Sequence, residues 1–111
     1  MNVDSSITAM CSSIQQLFNI GEEQAENLVG FLVVNLKEIA EELPEDRDMP
    51  AVRWAEIPFL ARCLHAIGRN CAVTALTQCA ERLHATVAEH DIDALVGIGD
   101  EIRSFLLVSG F

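Results

Sequence analysis

Apolar residues recur at helical spacing along almost the whole chain. Ile7, Met10, Cys11, Ile14, Leu17 and Phe18 follow an i, i+3, i+4, i+7 pattern, which predicts a first helix over residues 5–18 with Asp4 or Ser5 as its cap. Gly21 breaks that pattern. A second segment opens on Glu22, Glu23 and Glu26, acid suited to the positive end of a helix dipole, and continues through Leu28, Phe31, Leu32, Leu36, Ile39 and Leu43. Val33 and Val34 widen its apolar stripe, so neighbours on two sides are expected. Pro44 ends it, and residues 44–50 form a polar loop between two prolines.

The third segment spans residues 51–71. Ile57, Leu60, Leu64, Ile67 and Cys71 share one arc of the helical wheel, and Arg62, His65 and Arg69 fall within about 60° of one another on the opposite side. Pro58 inside a helix would cost about 3 kcal/mol, so the helix either begins near Glu56 or bends at Pro58. Gly68 weakens its far end. Asn70 or Thr74 can cap a fourth segment carrying Leu76, Cys79, Ala80, Leu83 and Val87, which ends near Glu89. After a short turn at residues 90–93, Asp91 or Asp93 caps a fifth, with Ile92, Leu95, Ile102, Phe105 and Leu106 inward. Nothing alternates with period two, and hairpin turn signals are absent. The prediction is an all-α single domain over residues 1–111: an up-down four-helix bundle with a short extra N-terminal helix.

Composition agrees with one core and narrows the partners. Of 111 residues, 50% are hydrophobic and 22% charged, which excludes an acidic disordered tail. Seventeen acidic against seven basic residues give a net charge of −10, with Lys37 the one lysine. Neither nucleic acid nor an anionic membrane surface suits that balance. The most apolar run, Leu28 to Leu36, is far shorter than the roughly 20 residues of a membrane span. The N-terminus lacks the basic and apolar regions of a signal peptide, so the expectation is a soluble, cytoplasmic protein. Cys11, Cys63, Cys71 and Cys79 form no CxxC pair and no zinc spacing. They are expected as free thiols serving as small core residues, with a disulfide as the alternative. Monomer and homodimer are both open.

No GxSxG, P-loop, GxGxxG or HExxH pattern occurs. Glu81 and His84 make one ExxH, where a carboxylate-bridged metal site in a bundle needs two copies and two further glutamates. A solvated helix face is the expectation there, with no metal and no cofactor. His84 and His90 are expected at the surface, and Trp54 as a core or hinge anchor. The feature that departs from its background is the basic face of the third helix. Its arginines either solvate that face, pairing with acid such as Glu56 or with acid on an adjacent helix, or form a docking patch for an acidic surface or a phosphate. His65 adds a neutral imidazole that is nucleophilic near pH 7.

From Trp54 to Asp91 the chain resembles a histidine-containing phosphotransfer (HPt) domain. Such domains are four-helix bundles that pass a phosphoryl group between receiver domains. Their signature is a Trp, an Ala-His-x-Leu-Lys-Gly run whose His comes eight residues after it, a Leu-rich helix and a Gly-Asp turn. Here Trp54 precedes Leu60-Ala61-Arg62-Cys63-Leu64-His65-Ala66, residues 76–83 match the next helix, and His90-Asp91 falls at the turn. In that register Arg62 stands at the phosphoacceptor position, His65 at the lysine and Ala66 at the glycine. A guanidinium has no free lone pair, so Arg62 cannot accept a phosphoryl group. The resemblance then implies either a pseudo-phosphotransfer module that docks a receiver or a histidine kinase through Arg62, His65, Ala66 and Arg69, or active transfer through His65 as a shifted phosphoacceptor with Arg69 supplying charge. The shift moves the reacting atom about 4.5 Å along the axis, which spoils in-line attack, so the non-enzymatic reading is favoured. The competing class is a helical adaptor or chaperone unrelated to phosphorelay, binding through an apolar groove around Val33, Val34 and Phe59.

Overall fold

The apolar stripes become the inner faces of five helices, except that Leu17, Phe18 and Phe31 are exposed. The computed structural model describes residues 3–48 and 52–108, and of residues 3–8 the backbone only. The elements are α1 (Val3–Phe18), α2 (Glu22–Glu42), α3 (Ile57–Asn70), α4 (Thr74–Glu89) and α5 (Ile92–Val108), with a 3₁₀ turn, Trp54–Glu56, leading into α3. Among the described residues there is no strand, and no helix is long and apolar enough to cross a membrane.

Each helix sends fully buried side chains to one core: Ile14 from α1, Leu36 from α2, Leu64 from α3, Leu83 from α4, and Leu95 and Ile102 from α5. Helix α2 packs on α3 and α5, α3 on α4, and α4 on α5, while α1 lies against α2 and α3. The N-terminal helix is neither short nor peripheral. Its 16 residues equal those of α4, and Met10, Cys11 and Ile14 sit in the shared core. It starts at Val3, so Asp4 and Ser5 lie inside its first turn rather than at a cap. Their side chains, like that of Ile7, lie outside the described residues.

Helix ends are set mostly by backbone. After α3, the Val73 N–H donates to the Gly68 carbonyl (2.8 Å) and the Ala72 N–H to that of Arg69 (3.2 Å), with Ala72 left-handed at φ 55°. The same double bond closes α4, from Asp91 to Thr86 (3.1 Å) and from His90 to Val87 (3.4 Å), with His90 at φ 48°. These closures leave a three-residue link between α3 and α4. Neither Asn70 nor Thr74 caps α4: Asn70 ends α3, Thr74 begins α4, and Val73 holds the cap position with no side-chain bond. Helix α5 is capped as expected at Asp91, whose Oδ1 accepts the Ala94 N–H at 3.1 Å.

Of the two starts the sequence allows for α3, the later is found. Pro58 lies in the first turn, where its missing N–H leaves no helical bond unmade. Ahead of it Trp54 is half-buried and stacks on His90 with ring centroids 4.6 Å apart and planes 7° apart. The entry to α3 is thereby tied to the α4–α5 corner. Gly68 marks a close crossing of α3 and α4: a Cβ there would stand 2.7 Å from the backbone nitrogen of Thr77.

All four cysteines are free, with Cys11, Cys71 and Cys79 buried and Cys63 half-buried. Burial, helped by the neighbouring Cys11, pushes the Cys71 thiol from an ordinary 9.0 up to about 11. Because the thiolate is the reactive form, Ellman's reagent at pH 8 is expected to modify Cys63 first and Cys71 only as the chain unfolds. The raised value also fixes a sign. The stability held by the protonated Cys71 is fully present below pH 9 and is lost as pH rises through about 11, so urea midpoints should fall over that window, and less in Cys71→Ala.

Candidate functional site: the arginine face of α3

Arg62 and Arg69 stand exposed on α3, and His65 between them is half-buried. Every other arginine is engaged. Arg47 pairs with Asp93 at 3.6 Å, Arg53 with Glu56 at 3.5 Å, Arg82 with Glu101, and Arg103 with Asp100 at 3.1 Å. Among the described residues the side chains of Arg62, His65 and Arg69 make no hydrogen bond or ion pair. Glu56, a candidate partner in the sequence, is taken by Arg53. The packing of α1 leaves Arg62 and Arg69 open to solvent.

The four expected contact residues do not line one cavity. Arg62 and His65 border a shallow cavity of about 320 Å³ against α4, where Glu81 and His84 form the opposite wall and the small side chains of Ala61 and Ala80 the floor. Ala66 turns to the other flank of α3 and borders a separate groove shared with α2, and Arg69 lines neither. The trough therefore brings together one guanidinium, two imidazoles and one carboxylate. It can present Arg62 to an anion, while Glu81 offsets part of the positive charge. Glu81 and His84 occupy the solvated face expected of them, and packing of α4 on α3 sets them opposite Arg62 and His65. The signal was present: Arg62/His65 and Glu81/His84 are both i, i+3 pairs on consecutive helices joined by a short link. Among the described residues, no three His, Cys, Asp or Glu side chains converge to hold a metal ion.

The α2–α3 groove measures about 910 Å³ and includes Phe59, exposed at 60%. The apolar surface expected around Val33, Val34 and Phe59 is rearranged: Val33 is buried in the core, and Val34 is exposed outside the groove. Adjacent helical residues point about 100° apart, so the two valines cannot share one face. Comparison of the chain with protein-family models, with curated proteins and with solved structures finds no match.

Proposed function

We propose that this chain is an HPt-like module that docks a response-regulator receiver domain, or the matching surface of a histidine kinase, through the exposed side of α3 without itself carrying phosphate. The observation that carries the reading is the contrast among arginines: Arg62 and Arg69 keep their charge unpaired while the others are bonded. A receiver's phosphorylation pocket is acidic, and a local cationic face on a chain of net charge −10 selects one docking pose by repelling the rest.

Further features support the family reading. Helix α2 packs on α3 and α5, α3 on α4 and α4 on α5, a set of neighbours compatible with a four-helix bundle, and α1 packs into the same core against α2 and α3. His90 stands at the glycine of the family's Gly-Asp turn and adopts the left-handed backbone that favours glycine, and Asp91 beside it caps the following helix. Arg62, at the phosphoacceptor position, is exposed, whereas His65 is half-buried toward α4. That favours blocked over active transfer. A helical adaptor with no tie to phosphorelay is the second reading, favoured by the exposed Phe59 in the α2–α3 groove.

The test is titration against a panel of labelled receiver domains. Arg62→Glu and Arg69→Glu are each expected to weaken binding about ten-fold, and raised salt to weaken the wild type. Incubation with phosphorylated receivers should leave no acid-labile phosphate on the chain. Phosphate that appears and is lost in His65→Ala would establish active transfer instead, and affinity indifferent to both charge reversals would remove the docking surface.

A further inference from the structure

We propose that the groove between α2 and α3 receives a basic amphipathic helix from a partner protein, at a surface distinct from the arginine face. Its two walls carry matching repeats. From Glu56, at the end of the 3₁₀ turn, into α3, the residues Glu56, Phe59, Cys63, Ala66 and Asn70 recur at alternating three- and four-residue steps along the groove. On α2, Asn35, Glu38 and Glu42 recur in the same way. Phe31, exposed at 64%, lies four residues before Asn35 and so extends that row beyond the groove. Leu32, Ile39, Leu60 and Ile67 form an apolar floor. Heptad-like spacing on both walls over an apolar floor is the surface that a third helix fills with side chains at i, i+3, i+4 and i+7.

Charge names the occupant. Glu38, Glu42 and Glu56 lie toward the end of the groove where α2 finishes and α3 begins, and among the described lining residues only Arg53, bonded to Glu56 at 3.5 Å, offsets them. The opposite end, with Leu32, Ala66 and Asn70, is neutral. A bound helix therefore carries its lysines or arginines toward the acidic end and its leucines along the floor. A second copy of this chain fits poorly, since each copy brings a net charge of −10 to an already acidic rim. An anionic lipid surface is repelled for the same reason.

The probe is a fluorescein-labelled synthetic helix with leucines at i, i+3, i+4 and i+7 and lysines flanking them, followed by anisotropy. A control peptide keeps the leucines and replaces every lysine with glutamate. The lysine peptide is expected to bind at least about ten-fold tighter than the control, and Phe59→Ser and the pair Glu38→Lys/Glu42→Lys are each expected to weaken it by about ten-fold. Amide shifts on binding should map to α2 and α3. Phe59 is largely exposed, so Phe59→Ser should retain the wild-type circular dichroism and melting point. Arg62→Glu, which the receiver reading requires to be damaging, should leave peptide affinity within about two-fold, so the two proposals fail separately. Equal binding of both peptides, or affinity unmoved by Phe59→Ser, overturns the groove assignment. So does a concentration-dependent dimer that Phe59→Ser dissolves in sedimentation, because the occupant would then be a second copy.

Discussion

Gly68→Val is expected to lower the free energy of unfolding by about 3 kcal/mol, and Gly68→Ala by about 1–2 kcal/mol, measured by urea denaturation. An added Cβ would meet the Thr77 backbone nitrogen at 2.7 Å, its Cγ2 at 2.8 Å and the Leu76 Cβ at 3.1 Å. The first of these is main chain in the opening turn of α4, and it cannot rotate aside. Relief requires α3 and α4 to separate, which loosens contacts around Leu64, Leu76 and Leu83, all buried. Alanine recovers about 1 kcal/mol through its better helix propensity, which is why its net cost is smaller, whereas valine adds two methyls and recovers less. Gly30 supplies the control. It is an exposed position inside α2 with nothing within 4 Å of a Cβ, so Gly30→Ala should stabilise by up to about 1 kcal/mol. The same substitution thus takes opposite signs on two helices. Equal effects at both positions would mean that α3 and α4 do not cross closely at Gly68.

Gly68 also shows what a sequence conveys and what it withholds. A helical wheel states which side of a helix is apolar, and that statement needs no knowledge of neighbours. Met10, Ile14, Leu36, Leu64, Leu83 and Ile102 are accordingly buried where the spacing puts them, and Arg62 and Arg69 lie outward. The same wheel cannot say what stands opposite. It scores Gly68 by local propensity alone, because the close backbone of Thr77 belongs to another helix. It also offers Glu56 to Arg62, since the competing bond from Arg53 depends on the turn that precedes α3. Side-chain capping rules favour Asn70 and Thr74 at the start of α4, yet the link of residues 71–73 is closed by backbone bonds to Gly68 and Arg69. The candidate site was half legible in the same sense. Arg62 and His65 could be placed on one helix, but Glu81 and His84 joined them only when α3 and α4 were packed.

Arg103→Met should cost about 2–3 kcal/mol in the same denaturation assay, more than any surface ion pair in the molecule. Nothing in the local sequence marks this residue, because its partners lie 60 and 63 positions earlier. From α5 its Nη2 donates to the Leu43 carbonyl at 2.8 Å and to the Ala40 carbonyl at 2.9 Å. Those oxygens lie at the C-terminal end of α2, where unpaired carbonyls concentrate negative charge and a cation is favoured. The Leu43 N–H also donates to the Ala40 carbonyl, so that oxygen keeps a partner in the variant. The buried Leu43 residue loses the bond from Arg103 to its carbonyl. Gly99 belongs to the same arrangement: a Cβ there would come 3.2 Å from the guanidinium and 3.3 Å from Leu43. Two further variants separate this role from simple charge pairing. Asp100→Asn removes the 3.1 Å ion pair within α5, where Asp100 is exposed, and should cost under about 0.5 kcal/mol. Arg103→Lys keeps the charge but loses the planar fork that spans two carbonyls, so about half the loss should remain. A cost for Asp100→Asn as large as that for Arg103→Met would place the energy in the ion pair and remove the claim that Arg103 closes α2 against α5.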